Sequence, residues 1–154
     1  MLASVAPLLG SQVFLAYQRR QGWGARFSYR CGRLLNNGRP VVELPDAPGD
    51  RYDDELPVAV LHDERTASAA EGVVVAFHGQ DRVTTLGRAT AGVPTGNVAY
   101  ALADGSMLAV TVSVAVDRKG RCYAGSIPPL EPARNWTDRE LIDQALTWVA
   151  QRAS

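Results

Sequence analysis

The residues best suited to carry out chemistry lie in one short stretch, residues 61–71, which reads LHDERTASAAE. It follows an apolar run and leads into a segment whose apolar residues recur at three- and four-residue spacing, so a strand is predicted to give way to a helix. Ser68 would lie in the first turn of that helix. There the free N–H groups and the positive end of the helix dipole can stabilise an oxyanion, and a serine hydroxyl can act as a nucleophile. The alternative is that Ser68 is an ordinary helix-start residue, since serine is common at that position.

The elements that must position this serine form a strand–helix–strand unit over residues 57–86. The run PVAVL at 57–61 is continuous and apolar, which is typical of a strand covered on both faces of a parallel sheet. A helix over residues 66–77, capped by Thr66, and a second strand over residues 82–86 complete a right-handed crossover. The predicted fold class is therefore α/β, with the candidate nucleophile at the carboxyl edge of the sheet, where such folds bind ligands.

The remaining elements are predicted from apolar periodicity, turn residues and capping patterns. They are a helix over 1–9 that packs on a core, a strand over 12–18, an edge strand over 26–30, a short strand over 41–44, a loop over 46–55, a hairpin of 98–102 and 107–116 around Asp104-Gly105, a strand over 121–124, a loop over 128–132, and a helix from the capping box Thr137–Glu140 to about Arg152 with Leu141, Ile142, Ala145, Leu146 and Val149 on its core face.

Composition excludes several classes of function. The 154 residues suit one domain, and 16 Lys and Arg balance 16 Asp and Glu, so neither nucleic acid nor an anionic membrane surface is an expected partner. The arginines and aromatic residues over 19–30 are interpreted as the solvated face of a hairpin.

No apolar run reaches the ~18 residues of a membrane span. No lysine or arginine precedes the apolar start of the chain, so no secretory signal is predicted and the expected location is the cytoplasm.

The cysteines and histidines show no metal-ligand spacing, so neither a metal nor a cofactor is expected. Cys31 and Cys122 lie far apart in the sequence. They are interpreted as thiols that are buried or play no part, with one long-range disulfide as the alternative.

Four sequence blocks together carry a family resemblance. They are TASAAE at 66–71, LGRATAG at 86–92, LADGSMLAVTV at 102–112 and GRCYAGSIPP at 120–129. In this order and spacing they resemble the C-terminal-processing, or tail-specific, serine peptidase family over about residues 57–150. The resemblance implies a core of the ClpP/crotonase type and a serine-type peptidase that acts on polypeptides.

The resemblance also implies roles for single residues. The nucleophile is the serine three positions before the motif's glutamate, which is Ser68, and the amide of Ala69 is one oxyanion donor. Glu71 has two possible roles, which stay open. It could orient the nucleophile loop, or its charge could favour the amino-terminal end of the helix.

Three departures from the family pattern matter. Val93 stands where one branch has a lysine base, and Asn97 where that branch has a supporting glutamine. Tyr123 is nearest to the position of the other branch's glutamate. In the family, a Gly-rich loop supplies the second oxyanion donor and comes just before a helix that resembles residues 1–9. This chain is therefore expected to begin after that loop.

The chain is therefore expected to be the carboxyl-terminal part of a peptidase domain over residues 1–154, incomplete at its amino terminus. Residues 1–56 would be a variable helix and hairpin segment, and residues 57–154 an α/β core with the last helix. We expect the chain to have little activity by itself and to self-associate. The alternative is a non-catalytic α/β fragment that keeps the fold for protein binding or assembly.

The sequence gives little support to the other candidates for a general base. His62 lies at the correct edge of the sheet but is interpreted as a surface-loop residue. His78 is interpreted as a residue at the end of the predicted helix. It lies ten positions after Ser68, about 15 Å away, which is beyond hydrogen-bond reach. Tyr123 is predicted to be a buried aromatic residue, and Lys119 a solvated turn residue.

Overall fold

A computed structural model describes residues 1–44, 56–133 and 135–153. In chain order its elements are α1 (Leu2–Val5), a short 3₁₀ helix (Ala6–Leu8), β1 (Leu15–Arg19), β2 (Trp23–Arg30), β3 (Arg33–Asn36), β4 (Arg39–Glu43), β5 (Val58–His62), α2 (Ala69–Phe77), β6 (Val83–Gly87), β7 (Thr95–Ala101), β8 (Met107–Asp117), β9 (Cys122–Tyr123), β10 (Glu131–Pro132) and α3 (Asp138–Arg152). The α/β class is confirmed. The loop predicted over residues 46–55 lies outside the described residues.

The larger of two sheets is curled and antiparallel. Among the described residues it has seven strands, which run in the order β4–β3–β2–β1–β8–β7, while β9 pairs with β8. The predicted hairpin around Asp104-Gly105 joins β7 to β8 with Ala101 opposite Met107. The strand predicted over 26–30 is not at an edge, because β2 pairs with β1 on one side and β3 on the other.

The smaller sheet contains the crossover that the sequence predicts. Strands β5 and β6 pair in parallel with Val58 opposite Val83 and His62 opposite Gly87, and α2 connects them. The short strand β10 pairs with β6 on its other side, within a segment predicted to be a loop. All five residues of β6 are buried, whereas only His62 of β5 is. The strand covered on both faces is therefore β6, and the prediction of that role for residues 57–61 is wrong.

The main core lies where α2 packs against the curled sheet. The first residues of the chain contribute to it, as predicted, since Ala6 and Leu9 are fully buried. Its other buried members include Phe14, Leu15, Tyr29, Leu34, Val75, Phe77, Ala115 and Ile127. The buried face of α2 thus fixes the helix whose first turn follows Ser68.

The last helix begins as predicted but turns a different face to the protein. Thr137 caps α3, with Glu140 N–H donating to its hydroxyl and Glu140 Oε2 accepting from the Thr137 N–H. Ala145 and Trp148 are buried, whereas Ile142 is 49% and Leu146 is 63% exposed. The predicted core face is therefore partly wrong, because Trp148 replaces two aliphatic residues on the buried side.

Cys31 and Cys122 are both unbridged and exposed, so the disulfide does not form and the thiols are not buried. In the described part of the chain, no helix has the length and apolar character that a membrane crossing requires.

Candidate active site around Ser68

The segment between β5 and α2 is a tight turn fixed by its own side chains. Asp63 N–H donates to the Thr66 hydroxyl at 3.2 Å, and the Thr66 carbonyl accepts from the Ala91 N–H at 3.0 Å. Thr66 is therefore a turn residue, and the prediction that it caps the helix is wrong. The helix begins at Ala69, and the residue at its N-cap is Ser68.

Ser68 has an unusual backbone conformation for a residue with a side chain. Its φ of +52° and ψ of −113° lie outside the regions that L-residues ordinarily occupy. Such a conformation costs about 1–3 kcal/mol and is held only by its surroundings. Ser68 and Ala69 are both exposed. The strained junction thus presents a serine, together with one of the first N–H groups of the helix, which have no partner inside it.

The group that holds Ser68 in place is the carboxylate of Glu71, which is fully buried. Its Oε2 accepts from the N–H of Ser68 at 2.8 Å and from the N–H of Val93 at 2.9 Å. Its Oε1 accepts from the Thr90 hydroxyl at 2.5 Å and from the N–H of Gly92 at 2.8 Å. One carboxylate therefore joins the serine turn to the segment after β6.

Thr90 extends this network to a third segment. Its hydroxyl accepts from the Ile127 N–H at 2.9 Å, and its carbonyl accepts from the Ser126 hydroxyl at 2.5 Å. Gly92 lies against the same segment with a φ of +93°, and an added Cβ would stand 3.0 Å from the Ser126 backbone nitrogen. Three of the four sequence blocks thus meet around one threonine and one glutamate.

Sequence reasoning missed the role of Thr90. The signal was available, because the TAG tripeptide at 90–92 belongs to one of the blocks that carry the resemblance. The block could not show by itself that a threonine hydroxyl donates to a carboxylate 19 positions earlier in the chain.

The three residues that depart from the pattern of the resembled family are Val93, Asn97 and Tyr123, and the structure shows the contacts of each. The Val93 side chain is 48% exposed, and only its backbone contacts Glu71. Asn97 Oδ1 accepts from the Thr111 hydroxyl across the β7–β8 pair. Tyr123 is buried, as predicted, and its hydroxyl donates to Asp117 Oδ2 at 2.9 Å.

Neither histidine is hydrogen-bonded to Ser68 in the part of the chain that the structure describes. His78 is the C-cap of α2, as predicted, and its Nδ1 lies 2.8 Å from the Tyr123 hydroxyl. His62 is only 4% exposed, so the prediction of a surface-loop histidine is wrong. Burial lowers the pKa of both imidazoles. Lys119 is an exposed turn residue, as predicted, and pairs with Asp81 at 3.3 Å.

This chain is similar to known proteins over nearly its whole length. A nisin-resistance protein of Lactococcus lactis subsp. lactis is 28% identical over 149 residues, which cover 97% of this chain and 44% of that protein. A lipoprotein structure from Streptococcus agalactiae matches with a TM-score of 0.73 and 24% identity, covering 99% of this chain and 49% of the other. The photosystem II D1 C-terminal processing protease matches with a TM-score of 0.61 and 24% identity, covering 99% of this chain and 34% of the other.

The chain thus spans about half or less of the length of each of these relatives. At their level of identity the two structures show a shared fold. The family model described as Peptidase family S41 matches residues 13–131, which include the serine turn, Glu71, Thr90 and the segment that binds Thr90. Most of the chain, and all of the network around Ser68, lies within that match: the chain belongs to Peptidase family S41.

Proposed function

We propose that Ser68 is the nucleophile of a serine peptidase that cleaves polypeptides. One observation carries this proposal. In a chain of Peptidase family S41, an exposed serine at a helix N-cap is held in a strained conformation by a fully buried carboxylate. An ordinary helix-start residue has no need of that strain, since a serine caps a helix from the β region of conformational space.

The chemistry follows from the position of the hydroxyl. The Ser68 oxygen attacks the carbonyl carbon of a peptide bond, and the hydroxyl proton passes through a general base to the leaving amine. The C–N bond breaks and an acyl-enzyme remains, which water then hydrolyses. The oxyanion accepts a hydrogen bond from the Ala69 N–H at the positive end of the α2 dipole.

Glu71 acts as a positioning residue in this mechanism. Its carboxylate accepts from the Ser68 N–H and, through Gly92 and Val93, fixes the segment at the family's base position. Of the two roles that the sequence left open, the four hydrogen bonds favour the orientation of the nucleophile turn. The ClpP/crotonase arrangement of the core belongs to the proposal as well, and the parallel crossover through α2 supports it.

A low rate is expected from these 154 residues by themselves. Within the described ranges, no imidazole or amine is hydrogen-bonded to Ser68. A serine without a base is a weak nucleophile. If the Ala69 N–H is the single donor to the oxyanion, the rate would be lower by a further ~10²–10³.

Labelling with a fluorophosphonate tests the assignment. We expect slow labelling of the folded chain at Ser68, no labelling of Ser68→Ala, and labelling at the unchanged rate in Ser106→Ala. Ser106 is the matched control, because its exposed hydroxyl lies in the hairpin turn and is bonded to Asp104. Mass spectrometry of the labelled peptide identifies the modified residue.

Among the residues that the structure describes, no histidine or lysine is hydrogen-bonded to Ser68, and this favours a second candidate function. In that case the chain is a non-catalytic module that keeps the fold for protein binding or assembly. Equal labelling of the parent chain and Ser68→Ala, or no labelling of either after long incubation, would support this candidate against the peptidase.

A further inference from the structure

A groove of about 340 Å³ lies where β1 ends and β8 continues past it. The last residue of β1, Arg19, is opposite Ser113, whereas β8 extends back to Met107. The groove is lined by residues 18–20 and by residues 111–114. Its volume falls within the ~300–1,000 Å³ that is common for ligand sites. It therefore has room for a side chain of a bound molecule.

One face of the larger sheet carries Tyr17, Arg19 and Ser113. Residues two apart on a strand share a face, and so do residues directly opposite one another on neighbouring strands. Tyr17 and Arg19 are two apart on β1, and Ser113 is opposite Arg19. Gly96 on β7 is in turn opposite Ser113, and an added Cβ there would overlap the Ser113 hydroxyl and stand 3.3 Å from Tyr17 Cδ1. Arg19 therefore projects from the same face as Tyr17.

Helix α2 packs on this same face. An added Cβ at Gly72 would stand 3.2 Å from the Tyr17 hydroxyl oxygen. The carboxyl end of the helix lies by Arg118, which donates to a carbonyl of the last helical turn at 3.1 Å and follows the residue opposite Leu15. From its carboxyl end to its amino end, α2 therefore runs in the direction that leads along β1 from Leu15 to Arg19.

This direction brings the serine turn toward Arg19. Ser68 lies four residues before Gly72, which is about 6 Å along the helix axis. Arg19 lies two residues after Tyr17, which is about 7 Å along the strand. Both steps start from the contact between Gly72 and Tyr17 and lead the same way. The groove and the proposed nucleophile are therefore neighbours on one face of the sheet.

In the part of the chain that the structure describes, the charged side chains that line the groove are all positive. Arg19 and Arg20 are both exposed, and neither forms an ion pair with a described residue. The Arg19 side chain lies over Gly24 of β2, where an added Cβ would stand 3.3 Å from its Nε. The positive end of the α2 dipole lies on the same side. A guanidinium binds a carboxylate through two parallel N–H bonds, so the ligand group that suits this groove is a carboxylate.

We propose that this groove binds carboxylates, and that it takes an aspartate or glutamate side chain of the polypeptide that reaches Ser68. The guanidinium groups of Arg19 and Arg20 would hold the carboxylate, and the bound chain would continue past Tyr17 to the serine turn. That the bound chain is a substrate rests on the proposed function, whereas the binding of an acidic peptide does not.

The test is a titration of the ¹⁵N-labelled chain with an alanine peptide that has glutamate at its centre and both ends blocked. We expect the backbone amide resonances of residues 18–20 and 111–114 to shift. The same peptide with glutamine in place of glutamate should bind about 5-fold more weakly, the upper range for an exposed ion pair. This difference should shrink as salt is added, because exposed charges are screened.

Three variants complete the test. Arg19→Gln should lose most of the preference for glutamate. Arg39→Gln is the matched control, since it removes the same charge from β4 at the far end of the larger sheet. Ser68→Ala should bind both peptides as the parent chain does, which separates this proposal from the peptidase mechanism.

The proposal is overturned if the two peptides bind the parent chain equally or not at all, or if Arg19→Gln and Arg39→Gln weaken binding to the same extent. It is also overturned if an alanine peptide with a free carboxyl terminus, or a single-stranded oligonucleotide, binds more tightly than the glutamate peptide. The comparison of peptides in the parent chain decides the matter even if a variant fails to fold.

Discussion

Glu71 shows how one buried residue can hold an active-site turn together. Its two oxygens accept four hydrogen bonds, three of them from backbone N–H groups and one from the Thr90 hydroxyl. Hydrogen bonds to charged groups contribute more than neutral ones, about 1.5–3 kcal/mol each. The strain at Ser68 is therefore offset by contacts that lie beneath it, within the protein.

The first prediction concerns Glu71→Gln. An amide keeps one acceptor oxygen but turns an NH₂ group toward two of the four donors, which leaves both unsatisfied. We expect the free energy of unfolding to fall by about 3 kcal/mol. Urea denaturation measures this change.

Glu64→Gln is the matched control. Glu64 is exposed and lies 3.8 Å from Arg88, so its loss should change stability by less than about 0.5 kcal/mol. If Glu71→Gln and Glu64→Gln are equally stable, the network does not support the turn.

The second prediction concerns Gly87, the last residue of β6. It has a φ of +123°, and an added Cβ would overlap the carbonyl oxygen of His62. Gly87→Ala therefore combines backbone strain with a clash against a strand, and we expect a loss of more than about 3 kcal/mol or a failure to fold.

Gly105 provides the comparison, since its φ of +84° is also positive but nothing lies within 4 Å of an added Cβ. Gly105→Ala should cost only about 1 kcal/mol of conformational strain. Thermal unfolding of the two variants separates the effect of strain from that of the clash. Similar melting temperatures would show that β5 can move to accommodate the methyl group.

Sequence alone could predict some of these residues and not others. Ser68 and Glu71 were identified because their spacing within one short block carries both the local helix pattern and the resemblance. The burial of His62 was missed, since it depends on the elements that pack around β5, among them α2, β6 and α3, and not on the residues next to it in the sequence. Contacts between distant segments leave no local signal of this kind.

At the level of elements, α2 links the serine turn at one end to a polar cluster at the other. The Tyr123 hydroxyl donates to Asp117, so the Tyr123 oxygen accepts from His78, whose Nδ1 then carries the proton. Burial and the hydrogen bond to Asp117 raise the pKa of Tyr123 well above its ordinary value. Burial lowers the pKa of His78, Arg121 and His62 act in the same direction, and Asp117 opposes them.

The third prediction is a loss of stability at mildly acidic pH. Both histidines have lower pKa values in the folded chain than the ordinary 6.5, so below that pH the unfolded chain binds more protons. Stability is then fully present above about pH 6.5 and falls as the pH decreases toward the folded pKa values. Urea denaturation at intervals from about pH 8 to about pH 5 measures how steeply the stability falls.

Single variants show how much of this pH dependence comes from each histidine. His78→Phe and His62→Phe should each remove part of it, and the double variant should remove most of it. The shifted carboxyl groups at Asp63, Asp104 and Glu140 have lowered pKa values and titrate below this window. A pH-independent stability across the window in the parent chain would contradict the buried, neutral state of both rings.

The elements differ in how far local sequence specifies them. The β7–β8 hairpin and the start of α3 follow from Asp104-Gly105 and from the capping box at Thr137, both of which are local signals. The exchange of roles between β5 and β6 does not. By sequence β5 is the more apolar strand, since β6 contains Thr84 and Thr85, but β6 is the buried one because it lies between β5 and β10 in the smaller sheet.

At the scale of the whole molecule, the hairpin of β7 and β8 leaves one apolar face without cover among the described residues. Side chains alternate along each strand, so Val98, Tyr100, Leu108 and Val110 share this face. Tyr100 and Leu108 lie directly opposite one another and are 51% and 49% exposed. The other face carries Met107 at one end and otherwise smaller or polar residues, among them Asn97, Ala99, Ala109 and Thr111.

The fourth prediction is that the chain self-associates through this apolar face. An exposed apolar patch on an edge strand favours pairing, β7 ends the path of the larger sheet, and a net charge of zero gives no overall repulsion between copies. Leu108→Thr should weaken association about tenfold, because burial of a leucine at an interface contributes on the order of 1.5 kcal/mol or more. Met107→Thr is the matched control: Met107 is 64% exposed but belongs to the opposite face, so its replacement should have little effect. Sedimentation velocity at tens of micromolar measures the three chains. A parent chain that stays monomeric over that range, or equal weakening by both variants, would count against association through this face.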